Sequence, residues 1–415
     1  MSGAAMATGV IENVLLPRSL LRAPERFGGR ERQDCLWGDL VIREGRAVGL
    51  EAPSGEEAPR GMVLPPLCEP HVHLDKCHTI GRIGRTGSTL LEAIESQRRD
   101  KEHWTAEDLR RRASRGLAEL VEAGVRRVRS HVDWPDGASA LTPPPAWHVL
   151  SELAEEWRPR IDLQLSPLIG VGDQANPDLS RLMGQLLSGK DHALGCFVHS
   201  QPDRREGIRA AVETAHRHGL ALDFHVDEGL EVGLDGLSLI AAAVLEVGYE
   251  GPILCGHACS LMNLPEARLA PLLDRIARAG ITVAALPSTN LYLQGRGAGT
   301  PDRRGITRVQ ELRAAGIPVV LGTDNVGDAF CPLNRHDPRF TLMLAALGVH
   351  LDPPYGDHLP MITTEANRAI GAPPGHIEDL PAGELLFLPA RHSAELVADL
   401  APPRPLGEIA KEEAT

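Results

Sequence analysis

The chain has 415 residues, 42% hydrophobic and 24% charged, an ordinary globular balance that excludes a wholly disordered or collagen-like protein. At about 150 residues per domain this length allows two to three domains, or one large barrel with something attached. Forty-three basic against 56 acidic residues leave a formal charge of −13, which argues against a nucleic-acid partner or an anionic membrane surface.

No segment approaches the roughly 18 uninterrupted apolar residues of a membrane span. Residues 1–21 include Glu12 and lack the charged-then-apolar layout of a signal peptide, so the expected location is the cytoplasm. The cysteines (Cys35, Cys68, Cys77, Cys196, Cys255, Cys259 and Cys331) are odd in number and free of any CxxC pair, and read as reduced thiols rather than a disulfide frame or zinc ribbon. Aromatics make up only 3%, so the core is built from Leu, Val, Ile and Ala, and a flat ligand has few rings to stack on.

In chain order, residues 1–60 contain two short strand-like segments, 38–43 and 46–50, around a Glu-Gly turn. From Gly61 to Thr323 an apolar run followed by a helix-like stretch recurs, with eight runs at 63–74, 125–133, 161–168, 193–199, 220–226, 252–257, 281–286 and 317–322. Thr105, with Asp108 three residues on, marks a helix start, and Gly124, Gly219, Gly280 and Gly316 stand where a left-handed residue would close a helix before a strand. Eight such units predict an α/β fold, a (β/α)8 TIM barrel, rather than an open doubly wound sheet. Segment 383–388 reads as a further strand, and the tail from Ala401 as loose. The expected organisation is a barrel over 63–371 and a small β-sandwich domain from both ends, 1–62 plus 372–415.

Polar residues cluster at the C-terminal ends of the proposed strands, where such a barrel carries its active site. In Glu69-Pro70-His71-Val72-His73-Leu74-Asp75, two histidines two residues apart on a strand face one way and can share a metal ion. Alone, so short a pattern also fits two polar residues at a strand end. Further endings, Phe224-His225-Val226-Asp227-Glu228, Cys255-Gly256-His257 and Gly322-Thr323-Asp324-Asn325, bring imidazoles and carboxylates to the same rim, which solubility or packing explains poorly. His131, His199, His216 and His218 read as ordinary satisfied histidines. No HExxH, Gly-x-Ser-x-Gly elbow or phosphate-binding loop is present.

With these motifs the sequence resembles the amidohydrolase superfamily, in its cytosine deaminase-like branch, from about Pro65 to Asn367. Arg129-Ser130-His131-Val132-Asp133 is similar to that branch's second-strand motif, and Asn290 to Arg296 with Arg303 to Arg308 to a further signature. The resemblance implies one divalent metal ion, Fe2+ or Zn2+, on His71, His73, His225 and Asp324. It gives catalytic roles to Asp324 (accepting the water proton), His257 (orienting the nucleophile or stabilising charge) and Glu228 (protonating a ring nitrogen and the departing amine). The fourth strand, Leu194 to His199, has no lysine to bridge a second ion.

The implied reaction is hydrolytic deamination of a cyclic amidine or N-heterocycle, such as cytosine or a related aminopyrimidine or triazine. Substrate contacts are expected from Gly170, Lys76, Asn325, Gln294 and Phe330, with Arg296 either lining the pocket or bracing its loop. Gly170 aligns with a glutamine that reads the pyrimidine edge in cytosine deaminase, and Lys76 is equally well read as a solvated cation or a salt-bridge partner of Asp75 or Glu69. His131 and Asp133 are expected to support the ligands through hydrogen bonds. A cyclic amide hydrolase and a non-catalytic barrel scaffold are the alternatives. The partner implied is a small-molecule substrate, and a homo-oligomer is left open.

Overall fold

A computed structural model describes residues 8–55, 58–84, 89–296, 299–301 and 303–413. The strands in chain order are β1 (Thr8–Pro17), β2 (Arg30–Arg32), β3 (Cys35–Arg43), β4 (Arg46–Glu51), β5 (Gly61–Leu64), β6 (Leu67–Val72), β7 (Val125–Asp133), β8 (Asp162–Gly170), β9 (Ala193–Val198), β10 (Ala221–Val226), β11 (Ile253–His257), β12 (Thr282–Ala285), β13 (Val319–Leu321), β14 (Leu386–Leu388) and β15 (Arg404–Pro405).

Strands β6 to β13 form one eight-stranded sheet in sequence order, and the registered pairs are parallel. A parallel bridge between Val72 and Asp324 joins its two ends, so the expected barrel is found. Gly124, Gly219, Gly280 and Gly316 all have positive φ, between 63° and 90°, as their place at the helix ends requires. Thr105 caps the helix Ala106–Glu122, its side chain accepting from the Asp108 N–H.

The second sheet is mixed and seven-stranded, in the order β15-β14-β5-β1-β3-β2 with β4 on β3, and draws on both ends of the chain. Two expectations are corrected here. Run 63–74 is not one strand: it breaks at Pro65-Pro66, where proline cannot donate to a ladder, and β5 before the break pairs with β1 and β14. The tail is not loose either. Helix Leu406–Glu413 docks through buried Leu406 and Ile409, and the Leu406 N–H donates to Leu385 O at 2.8 Å.

The barrel interior is strongly polar. Alternation along β7 and β10 turns Arg129, His131, Asp223 and His225 inward. Arg129 donates to Asp223 Oδ2 at 3.0 Å and to Gln164 Oε1 at 2.9 Å, fully buried. All seven cysteines are free and buried, and among the described residues no helix is long and apolar enough to cross a membrane.

Candidate active site

The site lies at the C-terminal rim of the barrel. Closure of the ring sets its centre: the Asp324 N–H donates to His71 O at 2.8 Å, bringing the aspartate after β13 beside the His-x-His of β6. Asp324 and His257 have φ of 59° and 67°, a left-handed backbone that costs energy for residues with a Cβ and points to a constraint from their side chains' task.

His71, His73, His225 and Asp324 are all buried, and their polar atoms converge. His73 Nε2 is 3.1 Å from His225 Nε2 and 3.2 Å from Asp324 Oδ1, and His71 Nε2 is 3.6 Å from the same oxygen. Ligands about 2.1 Å from a shared tetrahedral ion stand about 3.4 Å apart, and these three separations are close to that value. Both nitrogens of His71, Nδ1 of His73 and of His225, and both oxygens of Asp324 lack hydrogen-bond partners. Buried polar atoms are rarely left so, and a cation would satisfy several of them together. Two overlapping groups could hold an ion, His71-His73-His131-His225 and His71-His225-His257-Asp324.

His131 and His257 have other partners. His131 Nε2 is 3.0 Å from Asp223 Oδ1, and burial, opposed by that carboxylate, lowers its pKa to about 4. Asn290 Nδ2 lies 3.1 Å from His257 Nδ1. An amide nitrogen only donates, so Nδ1 accepts and Nε2 bears the hydrogen. His257 is thereby a neutral donor, its pKa lowered to about 3 chiefly by burial, with Nε2 3.6 Å from Glu228 Oε2.

The two carboxyls are driven apart. Burial, then the charge of Asp324, pushes Glu228 well above the usual carboxyl range. Burial acts the same way on Asp324, but the imidazoles of His71, His73 and His257 close around it hold it well below that range. An ionised and a protonated carboxyl in one pocket suit paired acid and base roles.

A cavity of about 390 Å³ opens over these groups, lined by His73, His225, Glu228, His257 and Asp324. Lys76, Gly170, Asn325 and Phe330 line it too. His71 and Gln294 do not: His71 lies deeper, and Gln294 Nε2 donates to Glu228 O at 3.3 Å. Arg296 also lies outside the lining, over the Tyr292 ring. Lys76 is buried rather than solvated, and its Nζ pairs with Asp133 Oδ1 at 2.7 Å, not with Asp75 or Glu69, while lying 4.8 Å from the Phe330 ring centroid and lining the cavity.

Sequence reasoning missed several contributors. Helix Leu90–Lys101 covers the cavity with Leu90, Ile94, Gln97 and Lys101, and Phe197 and Asp136 complete its wall. Asp223 could have been found, because it shares a face of β10 with His225. Glu69, inside the quoted motif, accepts from the His71 and Thr323 N–H groups at 3.0 and 3.1 Å, and burial raises its pKa to about 8.

Comparison with known proteins identifies the family. A pterin deaminase of Rhizobium rhizogenes (strain K84) is 30% identical over 411 residues, 96% of this chain and 92% of the relative. The N-isopropylammelide isopropyl amidohydrolase of Pseudomonas sp. (strain ADP) is 22% identical over 80% of this chain and 81% of its own. Among solved structures, the 5-methylcytosine deaminase of Klebsiella pneumoniae bound to phosphonocytosine superposes with a TM-score of 0.79 at 27% identity, covering 96% of this chain and 97% of that one. The amidohydrolase family profile matches residues 84–379, most of the barrel, and this chain belongs to that family.

Proposed function

We propose that this protein is a metal-dependent aminohydrolase that removes the exocyclic amine of a nitrogen heterocycle, water and amine giving a ring carbonyl and ammonia. The observation that carries the reading is the meeting, in one buried pocket, of unpartnered imidazoles, a depressed-pKa Asp324 and a raised-pKa Glu228. His71, His73, His225 and Asp324 would hold one divalent ion, iron or zinc, and the lack of a lysine on β9 supports one ion rather than two.

Such an ion, when bound, supplies a water whose pKa falls towards ~7. The side chains do the remainder. Asp324 takes the proton of the attacking water. Glu228 delivers its proton to a ring nitrogen, the proton collected by Asp324 leaves with the amine as ammonia, and the proton of the remaining hydroxyl passes to Glu228 as the ring carbonyl forms. His257, with Nε2–H fixed by Asn290, donates to the oxygen that gains charge at the attacked carbon.

For the substrate, a fused aminopyrimidine of the pterin type is favoured over cytosine. The 30%-identical relative is a pterin deaminase. Gly170 offers no side chain to the wall, and the cavity of about 390 Å³ has room for a bicyclic ring. The test is ammonia release from pterin, cytosine, an aminotriazine and creatinine by iron- or zinc-loaded protein. Turnover of pterin with the highest kcat/KM is expected. Higher kcat/KM for cytosine would overturn the substrate assignment, and no ammonia from any of them would overturn the function.

A further inference from the structure

A second cavity, about 750 Å³, lies against helix Ala106–Glu122, and His78, Glu119 and His336 are among its lining residues. It shares no lining residue with the catalytic pocket. His336 is 3% exposed, yet neither of its ring nitrogens has a hydrogen-bond partner. His78 Nε2 is likewise buried, with Glu119 Oε2 3.2 Å away, an ion-pair distance if the ring is protonated. The two rings meet edge to face, centroids 5.5 Å apart. One ligand-capable atom from each of Cys77, His78 and His336 lies within 4.8 Å of the others.

The backbone is arranged to bring them together. His78 has φ of 59°, an uncommon conformation for a residue with a Cβ, held by its N–H donating to Val326 O at 3.0 Å. On the facing helix stands Gly116, where a Cβ would come within 3.0 Å of His336 Nε2 and 2.8 Å of Leu74 Cδ2, so glycine there makes room for the ring.

We infer that Cys77, His78 and His336 form a second divalent-cation site, of the zinc class, outside the catalytic pocket. One thiolate and two imidazoles are the ligands that class prefers, with the Glu119 carboxylate or a water left to complete four-coordination. On binding, the Cys77 thiol, which in the free protein contacts Leu74 O and Arg112 O at 3.3 and 3.5 Å, loses its proton to solvent and the sulfur bonds the ion. The ion would staple the loop after β6, which carries Lys76, to the loop after β13, which carries Asn325 and Phe330.

Sulfur separates this site from the catalytic one, whose proposed ligands include no thiolate. Chelated full-length protein is titrated with Co2+ alone. The expected result is a near-ultraviolet thiolate-to-cobalt charge-transfer band, lost in Cys77→Ser and in His336→Gln and kept in His73→Ala. Zinc-loaded wild type should carry about two equivalents of zinc and the Cys77→Ser or His336→Gln protein about one. No charge-transfer band in the wild type, or a band of full intensity in both Cys77→Ser and His336→Gln, would overturn the assignment. The wild-type reading needs no variant, so a folding failure in one of them leaves the test intact.

Discussion

The hydrogen bond from the Asp324 N–H to His71 O, 2.8 Å long, closes the barrel and fixes the distance between two of the proposed ligands. Backbone pairing thus does part of the work of assembling the site. The side chains can be changed without touching this bond, so Asp324→Asn should fold and keep its melting temperature. Its neutral amide holds metal poorly and accepts no proton. A loss of about 10²- to 10⁴-fold in kcat is expected even at saturating metal, checked by steady-state kinetics beside metal analysis.

Glu228 is the proposed proton donor, and its raised pKa sets a sign. The active form is the protonated one, so its contribution is present at low pH and lost as pH rises through the folded-state value. Glu228→Gln should retain bound metal, lose about 10²- to 10⁴-fold in kcat, and show no fall on the alkaline side attributable to this group. A pH–kcat profile unchanged in shape and height would exclude Glu228 from the chemistry.

The wall at Gly170 decides the size of substrate. A Cβ there would meet Asp136 Oδ1 at 3.4 Å and Asp173 Oδ2 at 3.5 Å, ordinary contacts, so Gly170→Gln should fold while filling space in the pocket. KM for pterin should rise by about tenfold or more, with the cytosine value less affected, the difference being about 1.4 kcal/mol of discrimination.

Phe330 presents its ring to Lys76 and lines the cavity. Removing the ring in Phe330→Ala should raise KM for a flat heterocycle by about tenfold, in line with an aromatic contact of about 1 kcal/mol plus lost burial, and leave metal content unchanged. Kinetics with metal analysis on the same preparation would check both halves.

Acid stability has a separate source. Burial acts against ionisation of Asp108, but hydrogen bonds from Arg82 and Arg112, at 2.8 Å each, lower its pKa from 3.8 to about 2. A depressed folded pKa stabilises the protein above the unfolded value, and this stability is lost as pH falls from about 4 to about 2. Asp108→Asn should therefore flatten the acid limb in that window and cost about 2 kcal/mol at neutral pH, measured by urea unfolding at several pH values. The cost is sharpened by Arg112, which is 1% exposed and also holds Asp75 O and Cys77 O.

Much of this was legible in the sequence because barrel strands are local and periodic. The strand ends carrying His71, His225, His257 and Asp324 stood out as short runs closed by polar residues, and glycines such as Gly219 marked the helix ends by chemistry that depends on one residue alone. What was not legible depends on residues far apart in the chain. Leu406 reads as part of a polar tail until β14 provides a surface for it. Helix Leu90–Lys101 carries no chemical motif, and only the folded barrel places Gln97 and Lys101 over the pocket. Cys77 and His78 adjoin the metal motif in sequence, but nothing there announces His336 as their neighbour.

The central claim is metal dependence of ammonia release. The direct measurement is turnover of a pterin-type substrate by protein stripped with a chelator, then reconstituted with Fe2+ or Zn2+. Loss of activity on stripping, recovery with about one equivalent at the catalytic site, and no recovery in His73→Ala is the predicted result. Full turnover by the metal-free protein would contradict it.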